Sequence, residues 1–545
     1  MSAINPPAPA APAHAPLPLH RRLRWWLPVI LAAAAAGNVY RLRAAADLDT
    51  MTRNFRIMLT LVGAAGLLLV WWLFLTRLRW RARLAGLGLV IVCGVGAKGL
   101  VRIDGSADGG GRPRMVWRWT PRRSGEVGRL TQTAAANPRA AIVAASDYPG
   151  YLGRDRSGVV TGVDLEPDWR AHPPRELWRH PIGLGWSGFA VAGSRAITQE
   201  QRGGDELVVC YDLASGRQVW AHAHPVRFSE PMGGDGPRAT PTIDQGRVYA
   251  VGATGILDVM EAATGRLLWT RDVLKEAGLP NTYFGKSSSP LVVDDLVVVT
   301  GGMAKRSTLL AFHAADGAPA WRAGHDEASF TSPMLVTLAG RRQILTVNAA
   351  TVTGQDPRDG RLLWEYDWGN NQWPKCAQPV LLAGDRLLLS ASFNAGCVLL
   401  QVKRDADGRF TVAERWKNRH LKSEFSNLVA DGGYVYGLDD GILACVDLAT
   451  GQRKWKDGRY GHGQVLRVED FLLVQAEPGT VALVTATPAG YHEVARLNAL
   501  STKTWNTPAL AGNLLLVRND QEAVCYRLPT RAAGGPAASA ASGVR

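Results

Sequence analysis

The sequence predicts an all-β chain, an eight-bladed propeller of four-stranded blades, preceded by about three transmembrane helices. Three observations carry that expectation. One strand–turn–strand pattern recurs eight times between Pro174 and Leu528, most clearly as GILACVDLATGQRKW over Gly441–Trp455. The tryptophans that end it (Trp178, Trp220, Trp269, Trp321, Trp364, Trp416 and Trp455) stand 39 to 52 residues apart, the length of a four-stranded blade rather than of a helical repeat. The array opens with a lone strand, Arg175–Arg179, and ends with a three-strand unit, Thr507–Leu528. Paired, the two complete one blade and close the ring, which removes exposed sheet edges.

Each element of the repeat has a physical reason. Ile442–Val446 is an apolar run suited to a buried strand. Asp447–Gly451 is a turn, in which Asp bonds its own backbone and Gly supplies positive φ. The following strand ends in Trp, a ring large enough to fill the wedge between blades. Upstream, Thr240–Val251 reads as a hairpin turning at Gln245 and Gly246, so two hairpins make a blade. A degenerate copy around Ala489 and Gly490 has lost its Trp.

Ahead of the propeller the composition changes. Residues 1–23 are Pro- and Ala-rich and read as a disordered cytoplasmic tail. Residues 24–103 form the expected anchor, with spans at about 25–41, 57–76 and 84–102. Ile57–Thr76 is 20 residues without a charge, enough to cross a bilayer. Leu84–Val101 is Gly-rich and carries Lys98 near its end, from where a Lys reaches the interface. Trp25–Tyr40 is shorter and Ala-rich. With Arg21, Arg22 and Arg24 before it, it also reads as a signal segment cleaved after Ala44–Ala46. Three spans are favoured, because two further spans after a cleaved signal would be unusual. Trp25, Trp26, Trp71, Trp72 and Trp80 lie near segment ends, as interfacial aromatics do.

Charge sets the expected orientation. Residues 1–123 hold 18 Lys and Arg against 4 Asp and Glu, a net of +14 of the chain's +15. The basicity therefore belongs to the membrane flanks, and the nearly neutral remainder excludes a nucleic-acid partner. Arg77, Arg79, Arg81 and Arg83 crowd one loop, which the positive-inside rule assigns to the cytoplasm. Three spans then make a multi-pass inner-membrane protein with the propeller facing the periplasm. Residues 104–146 are expected as a linker, flexible around Asp108–Pro113 with one short helix in the Ala-rich stretch to Ala145. The propeller is expected over 147–529 and a second disordered tail over 530–545.

The cysteines add little. Cys210, Cys445 and Cys525 occupy equivalent apolar strand positions and read as buried thiols, and Cys93 sits in the third span. Cys376 and Cys397 share a blade on strands too far apart to favour a bridge.

The Gly-x-Leu-x-Cys/Ala-x-Asp-x-x-Thr-Gly-x-x-x-Trp unit resembles the repeat of pyrroloquinoline-quinone (PQQ) propellers, the quinoprotein alcohol dehydrogenase-like superfamily. Tyr151–Gly158 is similar to the entry motif of membrane-anchored bacterial members of unassigned function. The resemblance runs from Tyr148 to Pro529 and implies either of two functions. One is a binding or scaffold module, like the propeller of the outer-membrane assembly machinery. The other is a dehydrogenase that uses PQQ and calcium to oxidise an alcohol or sugar and reduce membrane quinone. The dehydrogenases carry adjacent cysteines over the cofactor, and this chain has no adjacent pair. No catalytic residue can be carried over, and the chain reads as a binding module rather than an enzyme.

In that superfamily the ligand lies over the propeller axis, at loops preceding the innermost strands. Here those loops supply Arg238, Lys286, Lys375, Glu424, His462, Lys503 and Trp505. The expected site is a cationic cup with a stacking face, open to an anionic small ligand or a protein partner. The Ser, Thr and Gly of the same loops are expected to satisfy backbone at the hub. His222 and His224 share one face of an outer strand, and two ligands alone do not make a metal site, so no metal is expected.

Overall fold

The repeat is organised by its turn glycine. A computed structural model describes residues 24–45, 48–120, 144, 146–369, 374–393 and 395–531. Gly216, Gly265, Gly317, Gly360 and Gly451 all take φ between 68° and 74°, where a side chain is strained. A Cβ on each would also meet the previous blade's tryptophan (Trp178, Trp220, Trp269, Trp321 or Trp416) at 2.5 to 2.8 Å. The same indoles donate to the carbonyl three residues before the glycine. Trp178 bonds Leu213 O at 2.9 Å, Trp220 bonds Ala262 O at 3.1 Å and Trp416 bonds Leu448 O at 3.0 Å. Trp269, Trp321 and Trp455 repeat the contact with Ala314, Pro357 and Thr487. The tryptophan thus fills the wedge and latches one blade to the next.

Two joints lack the latch. Trp364 donates within its own blade, to Gln343 Oε1 at 2.5 Å, because the following blade carries a longer hairpin, Gly396–Arg404 with Phe410–Asn418. Ala495, opposite Leu483, stands where the degenerate copy has lost its Trp.

Among the described residues the strands form eight propeller sheets. Blades 1 to 7 occupy 190–224, 242–272, 291–323, 334–367, 380–418, 429–459 and 464–498, each meandering outward from its inner strand. Blade 7 gains a fifth strand, Val159–Val160, parallel to Gln464–Val468. Blade 8 joins Ala509–Ala511, Leu514–Arg518 and Glu522–Arg527 to Arg175–Pro181 from the other end of the array, with Cys525 opposite Trp178. Cys210 and Cys445 hold the matching places opposite Trp220 and Trp455. All six cysteines are free. The core consists of apolar layers between blades, such as Val209, Leu516 and Cys525 between blades 1 and 8.

The described residues divide into two compact units, Met1–Arg102 with Met115–Thr120, and Ile103–Arg114 with Pro121–Arg545. In the first, three helices run over Trp26–Ala44, Thr50–Val70 with a wider turn to Leu75, and Trp80–Leu100. Asp49 caps the second, accepting from Thr52 N at 2.9 Å.

The expectation of three spans is corrected to two. Among the described residues, only Thr50–Leu75 and Trp80–Leu100 are long and apolar enough to cross a membrane. The first helix falls short because Gly37, Asn38, Tyr40, Arg41 and Arg43 dilute its apolar Ala- and Leu-rich start. At the start of the expected linker, Val101–Ser106 and Pro113–Trp117 pair as a two-stranded hairpin. The propeller unit continues past residue 529, with Arg531 N donating to Asp164 O at 3.0 Å. The tail at 1–23, the short helix within the linker and residues 532–545 lie outside the described residues.

Candidate functional site at the hub mouth

The hub is stitched by side chains that take the next blade's place in a backbone ladder. Gly188 N donates to Thr240 Oγ1, Thr240 N to Ser289 Oγ, and Ser289 N to Ser332 Oγ, at 3.1, 3.1 and 2.9 Å. Ser332 N donates to Gln378 Oε1 and Gln378 N to Asn427 Oδ1, both at 3.2 Å. Asn427 Nδ2 then reaches Gln464 Oε1, Gln464 Nε2 reaches Trp505 O, and Asn506 Nδ2 returns to Ser187 O, at 3.1, 3.1 and 2.8 Å. The circuit passes once through every blade. It satisfies amides that cannot pair where inner strands converge, which is the role expected for the Ser and Thr positions.

The cationic cup does not assemble as a cup. Lys286 is buried, and its Nζ donates to Thr300 O and Gly301 O at 2.7 Å each, and to Thr300 Oγ1. Burial pulls its pKa down to about 7. Lys375 Nζ donates to Ala349 O and to Gly369 O at 3.4 Å, and lies 5.6 Å from the Trp368 ring centre. Its pKa falls to about 8, again chiefly through burial. Arg238 bonds Gly236 O at 2.7 Å and Gly234 O at 2.8 Å beside Phe228, and burial lowers it to about 10. Each of these cations serves backbone carbonyls of its own neighbourhood. A buried charge must find such partners, and here nearby loop carbonyls supply them.

The remaining four residues do come together, on the rim of blades 6 to 8. His462 Nε2 lies 2.9 Å from Glu424 Oε2 and 3.8 Å from Asp440 Oδ1, and its Nδ1 lies 3.9 Å from Glu477 Oε2. Trp505 Nε1 donates to Glu477 Oε1 at 2.7 Å. Lys503 Nζ stands 3.9 Å from the Trp505 ring centre and 5.0 Å from that of Trp186, a cation–π contact with two rings that pack on each other 4.9 Å apart. Phe425 packs against both His462 and Trp505. Burial opposes charge on His462, but Asp440, Glu424 and Glu477 outweigh it and push the imidazole up to about 12. Burial likewise opposes charge on Glu477, yet His462, Trp505 and Gly109 hold its pKa below the ordinary carboxylate value. Burial lowers Lys503 to about 8. The rim is a carboxylate cluster around an imidazolium, with one lysine over a pair of packed indoles.

Asp440 and Glu477 were missed from the sequence. Both sit in the turn between the second and third strands of their blades. In an antiparallel meander that turn lies on the same rim as the start of the first strand, so acidic residues there were a readable signal.

The chain's own linker touches this rim. The turn of the hairpin at 101–117 reaches this rim, where Gly109 N donates to Glu477 Oε1 at 2.5 Å. Lys503 Nζ donates to Ser106 O at 2.8 Å. Asp108 pairs with Arg112 across the turn. The donor set does not fit PQQ with calcium. A calcium ion needs six to eight oxygens, whereas Glu424 is committed to His462, and Glu477 to Trp505 and Gly109.

A family model described as outer membrane protein assembly factor BamB matches residues 156–282 and 204–457, more than half of the chain. The chain belongs to this family. BamB proteins of Moranella endobia and Bordetella pertussis are each 24% identical to it. The first match covers 39% of the chain and spans 56% of that relative, and the second covers 63% and spans 79%. The propeller fold is shared with the quinohemoprotein alcohol dehydrogenase of Pseudomonas putida HK5. That structure has TM-score 0.50 at 12% identity, over 72% of this chain and 82% of that one. As a BamB-family propeller, the chain has the PQQ-type repeat together with a hub whose residues are engaged with one another.

Proposed function

We propose that this BamB-family propeller is a membrane-tethered, extracytoplasmic scaffold that binds a protein partner, and that it performs no redox chemistry. The observation that carries this reading is the linker turn at the rim. A Gly turn, held by its amide on Glu477 and by Lys503 on Ser106, is a mode of backbone recognition suited to a peptide loop. The relatives' name, outer membrane protein assembly factor, points to a protein partner. The dehydrogenase alternative has the shared fold in its favour, and the engaged rim weighs against it.

The orientation follows from one loop. With Arg77, Arg79, Arg81 and Arg83 on the cytoplasmic side, the helix Trp80–Leu100 carries everything after it across the membrane. The propeller then faces the periplasm whether or not Trp26–Ala44 spans. In the same reading, the composite eighth blade is the joint that holds the ring closed.

Two measurements test this. A reporter enzyme active only outside the cytoplasm, fused after Leu528, is expected to be active, and activity of a cytoplasmic reporter alone refutes the orientation. Calorimetry with PQQ and Ca²⁺ is expected to show no binding to the full chain. Stoichiometric binding with PQQ-dependent dye reduction overturns the scaffold reading.

A further inference from the structure

His222 and His224 lie on Gln218–His224, the outermost strand of blade 1. The two residues face the same way because side chains alternate along a strand. The third strand of the neighbouring blade, Ile256–Glu261, brings Asp258 against them. His224 Nε2 is 2.9 Å from both Asp258 oxygens, and His222 Nε2 is 3.3 Å from His224 Nε2. One ligand atom from each of the three residues lies within 4.8 Å of the others. The imidazole planes meet at 80°, edge to face rather than stacked. Asp258 is only 3% exposed.

We propose that His222, His224 and Asp258 form a binding site for one divalent transition-metal ion of the zinc class, joining blade 1 to blade 2. Three protein ligands of this kind leave a fourth position for water or a side chain from another molecule. The spacing suits the ion. At Zn–N lengths of about 2.0–2.1 Å, a tetrahedral angle sets two ligand nitrogens about 3.3–3.4 Å apart, and the two Nε2 atoms already stand at 3.3 Å. Two imidazoles with one carboxylate favour zinc, cobalt, nickel or copper over calcium and magnesium, which prefer oxygen.

Glu206, paired opposite His224 in the sheet, adds negative potential behind the site. The ligands come from two rigid ladders of adjacent blades, His222 opposite Val208 and Asp258 opposite Ala250, so the ion would clamp elements already in place.

The test uses the full chain in detergent, stripped with chelator and titrated with Co²⁺. Bound cobalt is expected to give the intense visible bands of a low-coordinate N/O site, and zinc to abolish them. After desalting, about one equivalent of zinc should remain. His222→Gln, on the half-buried histidine, should keep the melting temperature of the metal-free parent. It should weaken binding by more than the roughly 10–100-fold that loss of a supporting hydrogen bond behind a ligand costs, and Asp258→Asn should do the same. Failure of the parent to retain zinc overturns the proposal, as does retention by either variant at the parent's affinity.

Discussion

Gly109 donates its amide to Glu477 Oε1 at 2.5 Å, and a Cβ on that glycine would stand 2.4 Å from Nδ1 of His462. Only glycine can occupy this place without moving the imidazole or the turn. Gly109→Val is therefore expected to unseat the hairpin turn while leaving the propeller folded. Amide hydrogen exchange should show lost protection over residues 104–112 with an unchanged melting temperature. Unaltered protection would mean that the turn is held by something other than this fit.

The tryptophan latch predicts a stability cost at a position far from the mouth. Trp416→Ala removes a ring packed on Gly451 and the bond to Leu448 O. Trp416 is half-buried, so the expected cost is about 2–3 kcal/mol, below the roughly 3–5 kcal/mol of a fully buried large aromatic. A denaturant titration reads it directly. A loss under about 1 kcal/mol would show that the wedge between blades 5 and 6 carries little of the fold.

Closure predicts a different failure. Without Arg175–Pro181, the strand Glu522–Arg527 loses its outer partner and Arg179 no longer bridges Glu176 and Glu522. Deleting that strand should lower the melting temperature by many degrees and drive association through the bared edge. A soluble, monomeric variant with the parent's melting temperature would refute it.

Two buried groups should give stability opposite slopes with pH. His462 is raised in the folded state to about 12 from an ordinary value near 6.5, so its contribution is complete below about 6.5 and declines as pH climbs towards 12. Lys286 is lowered to about 7, so its penalty is complete below 7 and is relieved as pH rises towards about 10.4. Between pH 7 and 10 the stability difference between parent and His462→Gln should fall with pH, and that between parent and Lys286→Met should rise. Each slope is bounded by one proton, about 1.4 kcal/mol per pH unit. Urea midpoints at pH 7, 8 and 9 check both signs.

The blades were legible because their determinants are local. The glycine turn, the Trp and the strand between them sit within fifteen residues, as Gly441–Trp455 shows. The rim was legible only in part. Sequence position puts His462, Glu424, Lys503 and Trp505 before inner strands, but it says nothing about where a long side chain folds. Lys286 turns back onto Thr300, and Lys375 onto Ala349. Gly109 meets Glu477 across 368 residues, and Asp258 meets His224 across 34, between blades. No local pattern announces such pairings. The first helix was misjudged for another reason, since a run of alanines reads as apolar until the polar residues at its far end are weighed.

The eight links of the hub circuit share one sense of rotation, each passing from donor in one blade to acceptor in the next, while Gln378 Nε2 to Ser332 O and Gln464 Nε2 to Phe425 O run the other way. Small dipoles laid head to tail around a closed circle cancel as vectors. The circuit therefore adds almost no net dipole along the axis, unlike a helix terminus, where aligned peptide dipoles add. At the rim of blades 6 to 8, the polarity that a loop meets is written by Glu424, Asp440, His462, Glu477 and Lys503. Those side chains can be exchanged to retune the rim's preference for charge without disturbing the links that hold the ring.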